Sequence, residues 1–161
     1  TSNLEDHDLL FLSRDIREPK VVEAWSASLG TGEIVTVTAK RNGEIVGTTA
    51  VVLDRYSWSA HVGELRILVG PDARELGLGR QLIQESFLIG LDLGLEKLTV
   101  RMTLDQERAM TVFEEMGFKT EALLKDQVKD SEGIKHDLII MSHDVAGVQS
   151  MMELYGVDQA F

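Results

Sequence analysis

The residues of this chain best equipped for chemistry are Arg74-Glu75-Leu76-Gly77-Leu78-Gly79-Arg80, and that chemistry is anion binding. An apolar run, Leu65-Arg66-Ile67-Leu68-Val69, passes through Gly70-Pro71-Asp72-Ala73, and Arg74-x-x-Gly77-x-Gly79 then opens an amphipathic helix. Glycines let a backbone come close to a ligand because no Cβ stands in the way. The first turn of a helix offers N–H groups without internal partners, and the helix dipole adds partial positive charge. Arg80 adds a full positive charge one residue later. Together these features suit a phosphate or pyrophosphate. The site is a local exception in a chain whose formal net charge is −11.

Other chemistries fit less well. A dinucleotide fingerprint needs a third glycine where Leu82 stands, and a P-loop needs Gly-Lys-Ser/Thr, which is absent. With no cysteine there is no disulfide, no thiolate nucleophile and no Cys-ligated zinc, in keeping with a cytoplasmic address. His7, His61, His136 and His143 lack the spacing of metal ligands, so no metal is expected. The acidic balance argues against nucleic acid, whose phosphates need Lys and Arg. It suits a cationic partner, or simply solubility. No apolar run approaches the roughly 20 residues that span a bilayer, so no membrane partner is expected. The start, Thr1-Ser2-Asn3-Leu4-Glu5-Asp6, has neither the basic end nor the apolar core of a signal peptide. It also lacks Met, as a piece of a longer protein would.

The elements that must position this loop follow from pattern. The 161 residues contain no repeat and no linker, so one domain over residues 1–161 is expected, with its core at about 33–145. Pro19 opens a helix to about Leu29, with Val21, Val22, Trp25 and Leu29 on one face. Ile34 to Ala39 and Glu44 to Leu53 read as strands joined at Asn42-Gly43, a pair that tight hairpin turns favour. Gly63 to Val69 is a further strand, and the next helix buries Leu78, Leu82, Ile83, Phe87 and Ile89 before stopping near Gly94. Leu98 to Met102 is a strand, Gln106 to Met116 a helix, and Gly117-Phe118 begins another strand. Lys125 to Val128 and Ile134 to Met141 make a last hairpin. That order predicts an α/β protein, a mixed sheet flanked by helices. Tyr56 and Trp58 fall in the loop from Asp54 to Ala60, where they line a pocket or simply face solvent. Met151, Met152 and Leu154 suggest a terminal helix, for a homodimer contact or for packing within the domain.

Taken together, these residues resemble the Gcn5-related N-acetyltransferase superfamily. Arg74, Gly77 and Gly79 match its phosphate motif, Gln/Arg-x-x-Gly-x-Gly/Ala. A second motif, Asn-x-x-Ala-x-x-x-Tyr-x-x-x-Gly-Phe, appears as Gln106, Ala109, Phe113, Gly117 and Phe118, with its Asn and Tyr replaced. The tail His136-Asp137-Leu138-Ile139-Ile140-Met141 resembles the closing strand of many members.

The resemblance implies an acetyl-CoA-dependent N-acetyltransferase in which an amine, on a protein or a small molecule, attacks the thioester directly. Two parallel strands would splay apart around the pantetheine arm, held by backbone at Ile67, Leu68 and Val69. The pyrophosphate would take N–H groups from Glu75, Leu76, Gly77, Leu78, Gly79 and Arg80, beside Arg74. The Val69 N–H is expected to stabilise the oxyanion. Glu64 has two readings, a general base raised towards neutrality by apolar neighbours, or an exposed strand-end carboxylate. Asp105 is a weaker base candidate and equally an N-cap. Phe113 stands where many members use Tyr to protonate the leaving thiolate, and it has no proton to give. That replacement favours an alternative, an acyl-CoA-binding sensor with little catalysis. His136 lies near where acceptors enter this fold, in a surface or pairing role.

Overall fold

The computed structural model describes residues 10, 18–28, 31–74 and 77–148. The side chain of Trp25, together with His7, Leu29, Glu75, Leu76, Met151, Met152 and Leu154, lies outside what is described. The chain order is α1 (Pro19–Ser28), β1 (Ile34–Arg41), β2 (Glu44–Val52), β3 (Val62–Val69), α2 (Leu78–Asp92), β4 (Lys97–Thr103), α3 (Glu107–Glu115), β5 (Lys119–Lys129) and β6 (Lys135–Asp144). Six strands form one sheet in the order β1-β2-β3-β4-β6-β5. Only β3 and β4 run parallel, and every other neighbouring pair is antiparallel.

Alternation along the strands gives the sheet two unlike faces. Val51, Leu65, Leu98, Val100, Met102, Ile139 and Met141 pack with Ile83 of α2 and Phe113 of α3 in one core. Thr99 and Arg101 point to the opposite face, as do Glu64 and Arg66. In α2, Leu82 and Ile83 are fully buried, while Leu78, Phe87 and Ile89 are half-buried. Gly47 sets how close α2 lies: a Cβ there would come within 2.9 Å of Leu78 and 3.1 Å of Leu82.

Connections follow local chemistry. Asn42 and Gly43, at φ 53° and 86°, make the tight turn between β1 and β2. At the end of α3, Gly117 N–H donates to Glu114 O at 2.9 Å and Phe118 N–H to Phe113 O at 3.0 Å. That pair of bonds is a Schellman cap, with Gly117 at φ 91° and Phe118 stacked edge-on against Phe113 at 5.0 Å. The cap explains why β5 begins at Lys119 rather than at Gly117: the two residues between helix and strand are spent turning the chain.

Three further expectations change. Val22 is 44% exposed: it lies about 100° round the helix from Val21, which is half-buried. Lys125 to Val128 is not a separate strand but the end of a continuous β5, bulged between Leu124 and Val128. Tyr56 and Trp58 are 94% and 102% exposed, in the turn joining the end of β2 to the start of β3.

The β5–β6 hairpin is held by Asp130. Its carboxylate accepts the N–H groups of Glu132 (3.0 Å) and Ile134 (2.8 Å) and pairs with His136 Nε2 at 2.7 Å. The His136 hydrogen bond, helped by the two backbone donors, holds this carboxyl below the usual Asp value of 3.8. A depressed folded-state pKa stabilises the fold above that value, and the contribution is lost as pH falls through the lower, folded one. Asp130→Asn is therefore expected to lower the thermal midpoint at neutral pH and to flatten its decline below about pH 4, as a pH series of melts will show.

Candidate active site

The parallel strands β3 and β4 pair from Val62↔Lys97 to Leu65↔Val100 and no further. Beyond that point β3 continues to Val69 alongside β2, ending at Gly47↔Val69, whereas β4 continues to Thr103 alongside β6. The sheet thus opens into a wedge with its apex at Leu65 and Val100. Backbone alternation decides which groups line it. Gly70 N–H donates to Val46 O at 2.9 Å, so this is a hydrogen-bonded pair of the antiparallel ladder. Two and four residues back, Leu68 and Arg66 likewise turn their N–H and C=O towards β2. Ile67 and Val69 turn theirs towards the gap. Of the three strand positions expected to offer backbone, Ile67 and Val69 can do so, while the backbone of Leu68 faces Thr48.

The strand leads through a tight turn at Pro71–Ala73 into the start of α2. Arg74 Nε donates to Val69 O at 3.3 Å, tying the loop back to the strand it leaves. Gly77 is the N-cap of α2 at φ 72°, and no side chain caps the helix. Its first N–H groups, at Leu78, Gly79 and Arg80, therefore have no side-chain partner there. Among the described residues, a Cβ built at Gly77 or Gly79 would meet nothing within 4 Å, so on that side the ground beside both glycines is open. Arg80 is less free than the sequence implied. Its guanidinium pairs with Glu115 and approaches Met116 Sδ at 3.6 Å, linking the start of α2 to the end of α3.

Glu64 lies one residue before the apex, on the face away from α2 and α3. Neither of its two readings describes it, apolar surroundings or an exposed strand end: two guanidinium groups flank it. Arg66 Nε donates to its Oε1 at 2.9 Å, and Arg101 Nη2 lies 3.3 Å from its Oε2. Sequence reading missed Arg101 because its partner Glu64 is far from it in sequence and meets it only through the pairing of β3 with β4. Asp105 is exposed, and Gln106, the N-cap residue of α3, accepts Thr103 N–H through Oε1 at 3.3 Å. Phe113 is buried in the core, packed edge-on against Phe118. Tyr56 and Trp58 stand at the other end of β3 from the wedge and do not line it. Among the described residues no three His, Asp or Glu side chains gather to hold a metal ion, and no helix is long and apolar enough to cross a membrane.

Comparison with known proteins places this geometry. The model of the GNAT acetyltransferase family matches residues 3–118. The chain belongs to the GNAT acetyltransferase family. No curated protein gives a significant match. Solved structures share the GNAT fold at low identity. The ribosomal-protein-alanine N-acetyltransferase of Brucella melitensis is 20% identical with a TM-score of 0.75, over 89% of this chain and 90% of its own. The Vibrio cholerae spermidine N-acetyltransferase, in complex with CoA and spermine, is 16% identical with a TM-score of 0.75, over 89% and 86%. The Salmonella typhimurium protein yncA, with its cofactor acetyl-CoA, is 17% identical with a TM-score of 0.73, over 87% and 83%. Phe113, Gly117 and Phe118 cap α3, and the two phenylalanines pack in the core there.

Proposed function

We propose that the protein is an N-acetyltransferase that moves the acetyl group of acetyl-CoA to an amine by direct attack. The observation that carries this reading is the wedge, whose Ile67 and Val69 backbone groups run in line with the uncapped start of α2. The pyrophosphate would rest on the N–H groups of Leu78, Gly79 and Arg80, with the loop at Glu75 and Leu76 and Arg74 beside it. The pantetheine arm would lie back along β3. Val69 then stands nearer the pyrophosphate, and Ile67 nearer the apex, where the short acetyl end must fall. This order moves the oxyanion donor from Val69 to the Ile67 N–H.

In the transfer, the amine lone pair forms a C–N bond to the thioester carbon and the C–S bond breaks. The proton lost by the amine ends on the CoA thiolate. Phe113 cannot deliver it, so it travels through water. Neither a Cys nor any other acyl-enzyme nucleophile is needed. The neighbours accept on a ribosomal protein's alanine or on spermidine, so the fold by itself leaves the acceptor open.

The buried Phe113 favours a second reading, an acyl-CoA sensor that binds without turnover. Thiol release from acetyl-CoA, measured with a panel of amines, separates the two. Release in step with acetylated product supports the enzyme, and tight binding without release on any amine supports the sensor.

A further inference from the structure

On the sheet face away from α2 and α3, the point where β3 and β4 part is marked by three charges. Leu65↔Val100 is the last parallel pair, and Arg66 and Arg101 are the first residues beyond it on either strand. Both reach Glu64, whose side chain is 19% exposed. Arg101 remains 40% exposed, and its Nη2 lies 3.3 Å from Glu64 Oε2. Two guanidinium groups thus meet at this point of a chain whose net charge is −11.

A carboxylate already held by two guanidinium groups is a poor anchor for a cationic amine. It does set the half-exposed Arg101 fork, and a guanidinium fork matches a carboxylate. We propose that Glu64, Arg66 and Arg101 form the acceptor's anchor, and that the acceptor is an amine of amino-acid size that also carries a carboxylate. Glu64 is then a positioning residue for the two arginines rather than the base. The anchor lies one residue along the strand from Ile67, whose N–H faces the wedge. An amine a few bonds from the anchored carboxylate would therefore reach the thioester. This inference rests on the transferase reading above.

The test compares free amino acids with their amides and with spermidine as acceptors, in the parent and in Arg101→Gln. Calorimetry of N-acetyl amino acids, the products, runs alongside and needs no turnover. The parent is expected to prefer the free acid over its amide by tenfold or more in kcat/KM. Arg101→Gln should bring that ratio close to one, raise KM for the acid and weaken product binding about tenfold, and Arg101→Lys should restore part of the preference. Equal use of acid and amide by the parent, or an equal loss on every acceptor in Arg101→Gln, would overturn the proposal and leave the trio as a clamp between strands. If acetyl-CoA binds but no amine is acetylated, the transferase reading fails. The anchor is then judged by product binding alone, and its absence or its insensitivity to Arg101→Gln would overturn it.

Discussion

Gly79→Leu is expected to fold like the parent and to lose acetyl-CoA binding by a hundredfold or more. The two halves of this result have separate causes. Gly79 is the second residue of α2, and a Cβ there meets nothing within 4 Å among the described residues, so the added side chain has room against them. Leucine is also a better helix former than glycine, by up to about 0.8 kcal/mol. The thermal midpoint should therefore hold or rise. The open space is, however, where the pyrophosphate would lie against the helix start. A side chain that displaces two charge-assisted N–H bonds of roughly 1.5–3 kcal/mol each removes at least a hundredfold in affinity. Gly77 makes the contrast. Its φ of 72° is a backbone requirement, so Gly77→Ala is strained by about 1–2 kcal/mol before any ligand is considered. Calorimetric titration with acetyl-CoA, beside thermal melts, reads both effects.

The largest effect on stability is expected from Leu98→Ala, at about 3 kcal/mol, enough to lower the melting midpoint by roughly 10 °C. Leu98 is fully buried and paired with Gly63 in the parallel ladder below the wedge apex. Its side chain fills the space over two glycines, standing 3.1 Å from a Cβ built at Gly63 and 3.3 Å from one at Gly90. Neither glycine has a side chain that could move into the cavity, so the site collapses poorly and the cost sits in the usual range for buried leucine rather than below it. A midpoint within about 2 °C of the parent would mean that the apex is not packed as described.

Much of this architecture can be read from local chemistry. Asn42-Gly43 announces a hairpin, the apolar spacing of α2 announces its buried face, and Phe113-x-x-x-Gly117-Phe118 announces a helix end. Each is decided within a few residues. The wedge is of another kind. That Ile67 and Val69 face the gap while Leu68 does not depends on the register with β2, set by pairs such as Gly47↔Val69. That the gap exists depends on β4 leaving with β6. No local signal in β3 carries either fact. Glu64 shows the same limit: read either as a base among apolar groups or as an exposed strand-end carboxylate, it is held by two cations, one of them Arg101 from the next strand. Arg80 likewise meets Glu115 only because α2 and α3 pack on one face. Strand and helix identity were legible, whereas the partners of charged side chains across the sheet were not.

The central claim is that acetyl-CoA lies in the wedge, from the start of α2 back to Ile67. Backbone amide resonances followed by NMR during an acetyl-CoA titration test it most directly. The largest shifts are expected on Ile67, Val69, Leu78, Gly79 and Arg80, with the Asp54 to Ala60 turn at the far end of β3 unmoved. Shifts centred on that turn, or saturable binding that leaves Ile67 and Gly79 unperturbed, would contradict it.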